Sequence, residues 1–205
     1  MTSTRATGPI SGSRFAVVDV ETTGLEPARH HIIQLAVIIT DAHGGELDAW
    51  ATDVRPARWP WMRVGPHRVH GISRRRVGRA PSTAAVIDEF LRRTEGLAVV
   101  AHNLAFDLGF LQAEARSVGR EIPDGPHWCT LTLSRSLDRG FTRSHKLSDL
   151  CLRYGVSLDR PHDALEDARA AAAIIPGLLA EAGVSTWEEL AIRATPRPAK
   201  ARRQR

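Results

Sequence analysis

The chain has 205 residues, of which 42% are hydrophobic and 25% are charged, a composition that excludes a wholly disordered protein and suits one folded domain. Its formal charge is +5 and its pI about 10.2, and all of its basic residues except Lys146 and Lys200 are arginine. Arginine binds phosphate through a planar fork, so the charge is consistent with a polyanionic partner, although an arginine-rich proteome would give the same composition.

Cysteine content and apolar runs indicate the compartment. Cys129 and Cys151 are too few for a disulfide framework or a zinc knuckle, so we expect packing residues in a reducing environment. No apolar run approaches the roughly 20 residues of a membrane helix, and the first residues contain no segment resembling a signal peptide. We therefore expect a cytoplasmic protein with no membrane partner.

The first half of the chain carries three strand patterns. They cover residues 14–20, 31–40 and 46–54, and the turn "DAHGG" between the last two predicts an antiparallel meander. Residues 1–13 are rich in Ser, Thr and Gly, so we expect a flexible N-terminus.

Helices dominate the second half. Ser82 is the predicted N-cap and Gly96 the end of the first of them, while Asp163 begins the longest and Pro176 is expected to end or kink it. This order of strands and helices predicts an α/β sheet flanked by helices, in a domain over residues 14–192 followed by a basic disordered tail over 193–205. The predicted helices cover residues 82–96, 104–119, 130–137, 146–155 and 163–183, and a buried strand covers 97–103.

Two carboxylates follow the first strand pattern. Because side chains alternate along a strand, Phe15, Val17, Asp19 and Glu21 share one face, and both acids emerge at the carboxyl end, where α/β folds commonly bind ligands. Taken alone, the two acids are a weak signal, because a strand that simply exits into solvent explains them as well.

Two later segments also place an acid shortly after a strand or a loop. Asp107 follows "AHNLAF" in a largely apolar setting, where a carboxylate is costly unless it is paired or metal-bound. His162 lies in the loop before Asp163, and Asp167 falls within the first turns of the helix. Capping by acids explains Asp163 but leaves His162 without a role.

Four acids in one pocket would repel one another. Two like charges about 4 Å apart cost about 4 kcal/mol at an effective dielectric of 20. Two Mg²⁺ or Mn²⁺ ions would balance Asp19, Glu21, Asp107 and Asp167, and such a pair of ions is the usual device for displacement at phosphorus. A neutral histidine, here His162, can remove the proton of the attacking water.

The three motifs "DVETTGL", "AHNLAFDLGFL" and "HDALEDA", in this order, resemble those of the DEDD exonuclease superfamily in its histidine-containing branch, which includes the proofreading epsilon subunit of bacterial DNA polymerase III. The fragments "VHGIS", "TLTLSR" and "HKLSDLCLRYGV" are also similar to that family. The resemblance covers roughly residues 14 to 180. It implies a ribonuclease H-like fold, a five-stranded mixed sheet flanked by helices, and 3′ to 5′ hydrolysis that releases nucleoside monophosphates.

The resemblance also implies a role for each catalytic residue. Asp19 resembles the acid that bridges both metal ions, and Glu21 and Asp167 resemble its partners around the nucleophile-side ion. Asp107 is similar to the acid that holds the second ion through water, and His162 to the general base.

Further residues are implied to contact the substrate. The backbone around Thr22 and Thr23 would cradle the terminal nucleotide, and Leu25 would wedge against its base. Asn103 and Phe106 would line the same cleft, with packing or helix capping as the alternative for each of these residues. His102 is expected to be structural.

Two segments depart from the family pattern. Residues 55–68, "RPARWPWMRVGPHR", are basic and rich in tryptophan, so their aromatic side chains could stack on bases or form a hydrophobic lid. The segment from residue 185 onward holds no clamp-binding peptide, and we therefore expect a stand-alone exonuclease rather than a polymerase subunit.

The expected substrate is a single-stranded DNA 3′ end, in DNA repair or proofreading. Two alternatives stay open: an exoribonuclease resembling oligoribonuclease or ribonuclease T, and a non-catalytic nucleic-acid-binding module. The sequence predicts no oligomeric state.

Overall fold

The computed structural model describes residues 7–65, 67–140 and 142–194. Most of the predicted basic tail and the first six residues of the predicted flexible N-terminus lie outside the described residues. The five strands are β1 (Arg14–Thr22), β2 (Ile32–Asp41), β3 (Glu46–Asp53), β4 (Ala98–Ala101) and β5 (Trp128–Cys129).

The strands form one mixed sheet in the order β3-β2-β1-β4-β5. β1, β2 and β3 pair antiparallel, while β4 lies parallel to β1 and β5 parallel to β4. The antiparallel meander and the parallel strands were both predicted. The two residues of β5 were not recognised as a strand, because so short a segment has no side-chain alternation to detect.

The helices follow the predicted pattern with three differences. The long helix is divided before Pro176, which lacks the N–H that a continuing helix would use. Three helices, α1 (His67–His70), α2 (Arg74–Arg79) and α9 (Trp187–Ala194), were not predicted. The last helix includes Arg193, the expected first residue of the tail. The helices are α1 (His67–His70), α2 (Arg74–Arg79), α3 (Thr83–Thr94), α4 (Leu104–Ser117), α5 (Thr130–Leu137), α6 (Leu147–Tyr154), α7 (Ala164–Ala173), α8 (Ile175–Ala182) and α9 (Trp187–Ala194).

Both predicted N-caps are present. The hydroxyl of Ser82 accepts a hydrogen bond from the N–H of Ala85, and the carboxylate of Asp163 accepts from the N–H groups of Leu165 and Glu166. Among the described helices, none combines the length and the apolar character that a bilayer crossing requires.

Alternating side chains of β1 build two cores, one on each face of the sheet. Phe15 and Val17 pack with α7, α8 and α9, whereas Ala16, Val18 and Val20 pack with α3 and α4. Asp19 and Glu21 lie on the same face of β1 as Phe15 and Val17. Their side chains therefore point to the face of the sheet that α7 covers.

The described part of the predicted flexible N-terminus is held by contacts, which corrects that expectation for residues 8–10. Ile10 is only 2% exposed and its N–H donates to the carbonyl of Ser185 over 2.9 Å. The N–H of Trp187 donates to the carbonyl of Gly8, and the ring of Trp187 packs on Phe15. The buried side chain of Ile10 and these two backbone hydrogen bonds together hold the segment against the core.

Candidate active site

A cleft of about 380 Å³ opens at the carboxyl end of β1. Its walls come from β1 and the turn after it, the end of α1, the start of α4, and the loop before α7 together with the first turns of that helix. The cleft contains all five residues predicted to be catalytic: Asp19, Glu21, Asp107, His162 and Asp167.

Helix α7 lies close to the sheet and thereby brings Asp167 to β1. Ala164, Ala168 and Ala171 are buried against the strands, and side chains this small allow a short distance between helix and sheet. At the helix start, the side-chain carbonyl of Gln34, the residue opposite Glu21 on β2, accepts from the N–H of Ala164 over 3.2 Å. This buried contact was not predicted, because a glutamine in an apolar strand does not reveal its partner.

Asp107 enters the cleft from the other layer of helices. It is 3% exposed, and its Oδ1 accepts from the N–H of Val20 over 3.3 Å, so this carboxylate is tied to the backbone of β1. Asn103 precedes α4 in a left-handed conformation with φ of 86° and makes no side-chain capping bond. The alternative interpretation, that the Asn103 side chain caps the helix, is therefore wrong, and the residue lines the cleft as the resemblance implies.

His162 is exposed at the mouth of the cleft. Its backbone adopts φ of 67°, and its N–H donates to Oδ2 of Asp167 over 3.0 Å. Potential ligand atoms of Glu21, His162 and Asp167 all lie within 4.8 Å of one another. The imidazole thus stands beside two of the carboxylates.

Burial and mutual repulsion raise the pKa values of these acids. Burial raises the pKa of Asp19 well above its usual range, and the carboxylates of Asp107 and Asp167 raise it further. Burial raises the pKa of Glu21 to about 8, with Asp167 adding to the effect, and it raises the pKa of Asp107 to about 8. Burial also raises the pKa of Asp167.

These residues fit divalent metal ions. Carboxylate oxygens are hard ligands that suit Mg²⁺ and Mn²⁺, and a cation would relieve the repulsion that raises the pKa values. Neither cysteine lines the cleft described by the structure, so its donors are oxygen atoms and the imidazoles of histidine.

The residues expected to contact the substrate lie at the same end of β1. Leu25 is 80% exposed and lines the cleft with Thr22, Asn103 and Phe106. The Thr22 hydroxyl donates to the carbonyl of Gly24 over 2.6 Å and so closes the turn after the strand. The Thr23 hydroxyl accepts from the N–H of His31, so its side chain fixes the turn. Their roles in substrate binding stay predictions.

Two histidines of the cleft differ in their contacts. His102 Nδ1 lies 2.9 Å from the hydroxyl of Thr130, and burial lowers the pKa of His102 to about 4, which agrees with a structural role. His70, for which no role was predicted, is 8% exposed, and its Nδ1 accepts from the N–H of Ile72. It lines the cleft together with Val69, and the fragment "VHGIS" was the sequence signal for both.

A model of the Exonuclease family matches residues 16–175. The chain belongs to this family. It is 32% identical over 81% of its length to the 3′-5′ exonuclease DinG of Bacillus subtilis, and 34% identical over 90% of its length to a DNA polymerase III subunit epsilon-like protein of Rhodobacter capsulatus. The chain spans only 18% and 27% of the lengths of these two relatives.

Solved structures confirm the predicted fold. The complex of E. coli Exonuclease I with a dT13 oligonucleotide superposes with a TM-score of 0.72 at 20% identity, covering 83% of this chain and 42% of that one. The nuclease domain of 3′hExo, a DEDDh family member bound to rAMP, gives a TM-score of 0.68 at 19% identity over 85% of this chain and 95% of that one.

Proposed function

We propose that the protein is a 3′–5′ exonuclease that hydrolyses the terminal phosphodiester bond of single-stranded DNA and releases nucleoside monophosphates. The observation that carries this proposal is the meeting of four carboxylates and one imidazole, from three distant segments, in a single cleft. Membership of the exonuclease family and the similarity to a 3′-5′ exonuclease support it.

The four acids would hold two Mg²⁺ or Mn²⁺ ions, whose combined charge balances Asp19, Glu21, Asp107 and Asp167. When bound, such ions lower the pKa of a water molecule and offset the charge that builds up on the phosphate. The carboxylates are oriented by the contacts of Asp107 with β1 and of Asp167 with the backbone of His162.

His162 is the proposed general base. Its imidazole accepts a proton from the attacking water, whose oxygen forms the new bond to phosphorus. The bond between phosphorus and the 3′ oxygen of the preceding nucleotide breaks, and that oxygen takes up a proton. Leu25, Asn103 and Phe106 would position the terminal nucleotide during this displacement.

A timed digest of 5′-labelled single-stranded DNA and RNA of equal sequence, with Mg²⁺ or Mn²⁺, tests the proposal. We expect a ladder of progressively shorter labelled DNA products, release of monophosphates, and no reaction in excess chelator or with Asp19→Ala. Faster shortening of RNA would instead establish the exoribonuclease, and binding without hydrolysis by a folded, metal-loaded protein would establish the non-catalytic module.

We also propose that the protein acts on its own, in DNA repair or proofreading. The same digest uses the purified chain without any polymerase, so full activity on free ends would support independent action. Activity that appears only after a polymerase is added would refute it.

A further inference from the structure

A basic segment beside the cleft is not used by the proposed chemistry. We name residues 55–79, between β3 and α3, the arginine arm. The arm contains no aspartate or glutamate, and its eight arginines are Arg55, Arg58, Arg63, Arg68, Arg74, Arg75, Arg76 and Arg79.

Three of these arginines stabilise the arm itself. Arg76 binds the carboxylate of Asp53 at 2.7 and 2.8 Å, and Arg55 donates to the carbonyl of Gly78. Arg74 donates to the carbonyls of Pro60 and Met62 and lies over the ring of Trp59, 4.5 Å from its centroid. In the part of the chain that the structure describes, the remaining five have no ion pair, so their charges are uncompensated.

The arm is anchored to the sheet. Val64, Ile72 and Val77 are buried with Ile33 of β2, and Trp59 packs against them. Gly65 lies against Thr23, since a Cβ at this position would come within 2.7 Å of the Thr23 carbonyl oxygen. The backbone that carries the exposed side chains of the arm is therefore anchored next to β1 and β2.

One part of the arm, the end of α1, lies at the edge of the catalytic cleft. Val69 and His70 line the cleft together with Asp19 and Glu21. Arg68 directly precedes Val69, and both are exposed.

The two tryptophans of the arm have different surroundings. Trp59 is partly buried and covers the small apolar cluster, as a hydrophobic lid would. Trp61, two residues later, is 92% exposed. Of the two interpretations of this segment, the lid thus applies to Trp59, while Trp61 is free to stack on a base.

The cleft alone attracts a polyanion poorly, because four carboxylates line it. A surface with uncompensated arginines at its edge supplies the missing attraction, and an exposed aromatic ring adds stacking that does not depend on sequence. We propose that the arginine arm binds the nucleic-acid strand on the 5′ side of the terminal nucleotide, with Arg63 and Arg68 on phosphates and Trp61 on a base. This assignment of strand direction rests on the proposed 3′–5′ activity.

A fluorescence titration in excess chelator tests the arm without requiring hydrolysis. An oligonucleotide of about 12 nucleotides should quench tryptophan emission of the wild-type protein. We expect Trp61→Phe to lose most of this quenching and Trp61→Ala to weaken binding at least about fivefold. Quenching of the same size in Trp61→Phe would overturn the role of Trp61.

The salt dependence of binding tests the arginines. For a single strand, each neutralised phosphate contributes about 0.7 to the slope of log K against log salt concentration. We expect the double variant Arg63→Gln/Arg68→Gln to lose about 1.4 from this slope, and the double variant Arg14→Gln/Arg116→Gln to leave it unchanged. Arg14 begins β1, at the end of the strand opposite the cleft, and Arg116 lies in the last turn of α4, whose first turn carries Asp107. In the described chain neither arginine has an ion pair. Equal losses in both double variants would show that only net charge matters and would overturn the proposal.

Kinetics separate this inference from the proposed function. In Arg63→Gln/Arg68→Gln, KM for a long oligonucleotide should rise at least about tenfold more than KM for a chromogenic mononucleotide ester. Equal changes in KM for both substrates would contradict the proposed role of the arginine arm. If the wild-type protein hydrolyses neither substrate, the proposed exonuclease activity is refuted. The titrations would still decide whether the arginine arm binds nucleic acid.

Discussion

The backbone N–H of His162 donates to Oδ2 of Asp167 over 3.0 Å, which couples the proposed general base to a proposed metal ligand. Asp167 lies on α7, whose first N–H is held by Gln34 of β2 and whose alanines pack on the sheet. The backbone of His162 is therefore fixed beside the carboxylates, although its imidazole ring is exposed.

His162→Ala should reduce the single-turnover rate about 10²- to 10⁴-fold, because it removes the group that accepts the proton of water. Metal affinity and oligonucleotide affinity should stay within about threefold of wild type, since the four carboxylates remain. Rapid-quench assays and binding titrations measure both properties. His43→Ala is the matched control, because His43 is an exposed histidine in the turn between β2 and β3. A rate for His162→Ala equal to that of the control would remove His162 from the mechanism.

Binding of Mg²⁺ or Mn²⁺ should release protons at neutral pH. Glu21 and Asp107 have pKa values of about 8 without metal, so both are mostly protonated at pH 7 and must ionise to bind a cation. Because the pKa of Asp19 is raised as well, we expect release of at least about two protons, measured by calorimetry in buffers that differ in ionisation enthalpy. Asp107→Asn should release about one proton fewer. Binding heats that do not depend on the buffer would contradict the raised pKa values.

Without metal, the protein should become less stable as pH rises. The folded-state pKa of Asp107, about 8, exceeds its value in the unfolded chain, so the folded state binds more protons between about pH 4 and pH 8. The contribution of Asp107 to stability is largest below this window and falls as pH rises through it. In chelator, the free energy of unfolding should drop by about 2 kcal/mol or more from pH 5 to pH 8.5, as measured by urea titration.

Asp107→Asn controls for this pH effect, because the amide does not titrate. Its stability should change less than that of wild type across the same window, and saturating Mg²⁺ should reduce the drop in wild type. A wild-type stability that rises with pH in chelator would show that the carboxylates ionise at their ordinary pKa values.

Leu25→Ala should weaken the binding of the terminal nucleotide without affecting folding. The Leu25 side chain is 80% exposed at the mouth of the cleft, so its removal costs little stability, whereas its contact with a base would be lost. We expect KM for a dinucleotide to rise about fivefold at unchanged melting temperature. Leu47→Ala is the control, since Leu47 is also an exposed leucine but lies on β3. Equal KM values in both variants would exclude the contact with the base.

Local patterns determined much of the fold and of the site. The alternation of side chains along β1 placed Asp19 and Glu21 on one face, and the structure has them on the face covered by α7. The caps at Ser82 and Asp163 and the break at Pro176 depend on residues within a few positions of each other, so the sequence predicted them. The order of the three motifs identified the family, which the comparisons confirmed.

Other features depend on contacts between distant residues, and only the tertiary structure decided them. The bond from Ala164 to Gln34, the docking of Ile10 beside Ser185, and the different surroundings of Trp59 and Trp61 have no local signature. Hydrogen bonding and burial are properties of packed neighbours, and a chain shows which residues are neighbours only after it has folded. The sequence by itself therefore determined which groups are available for chemistry, and the packing of α4 and α7 on β1 decided that they meet.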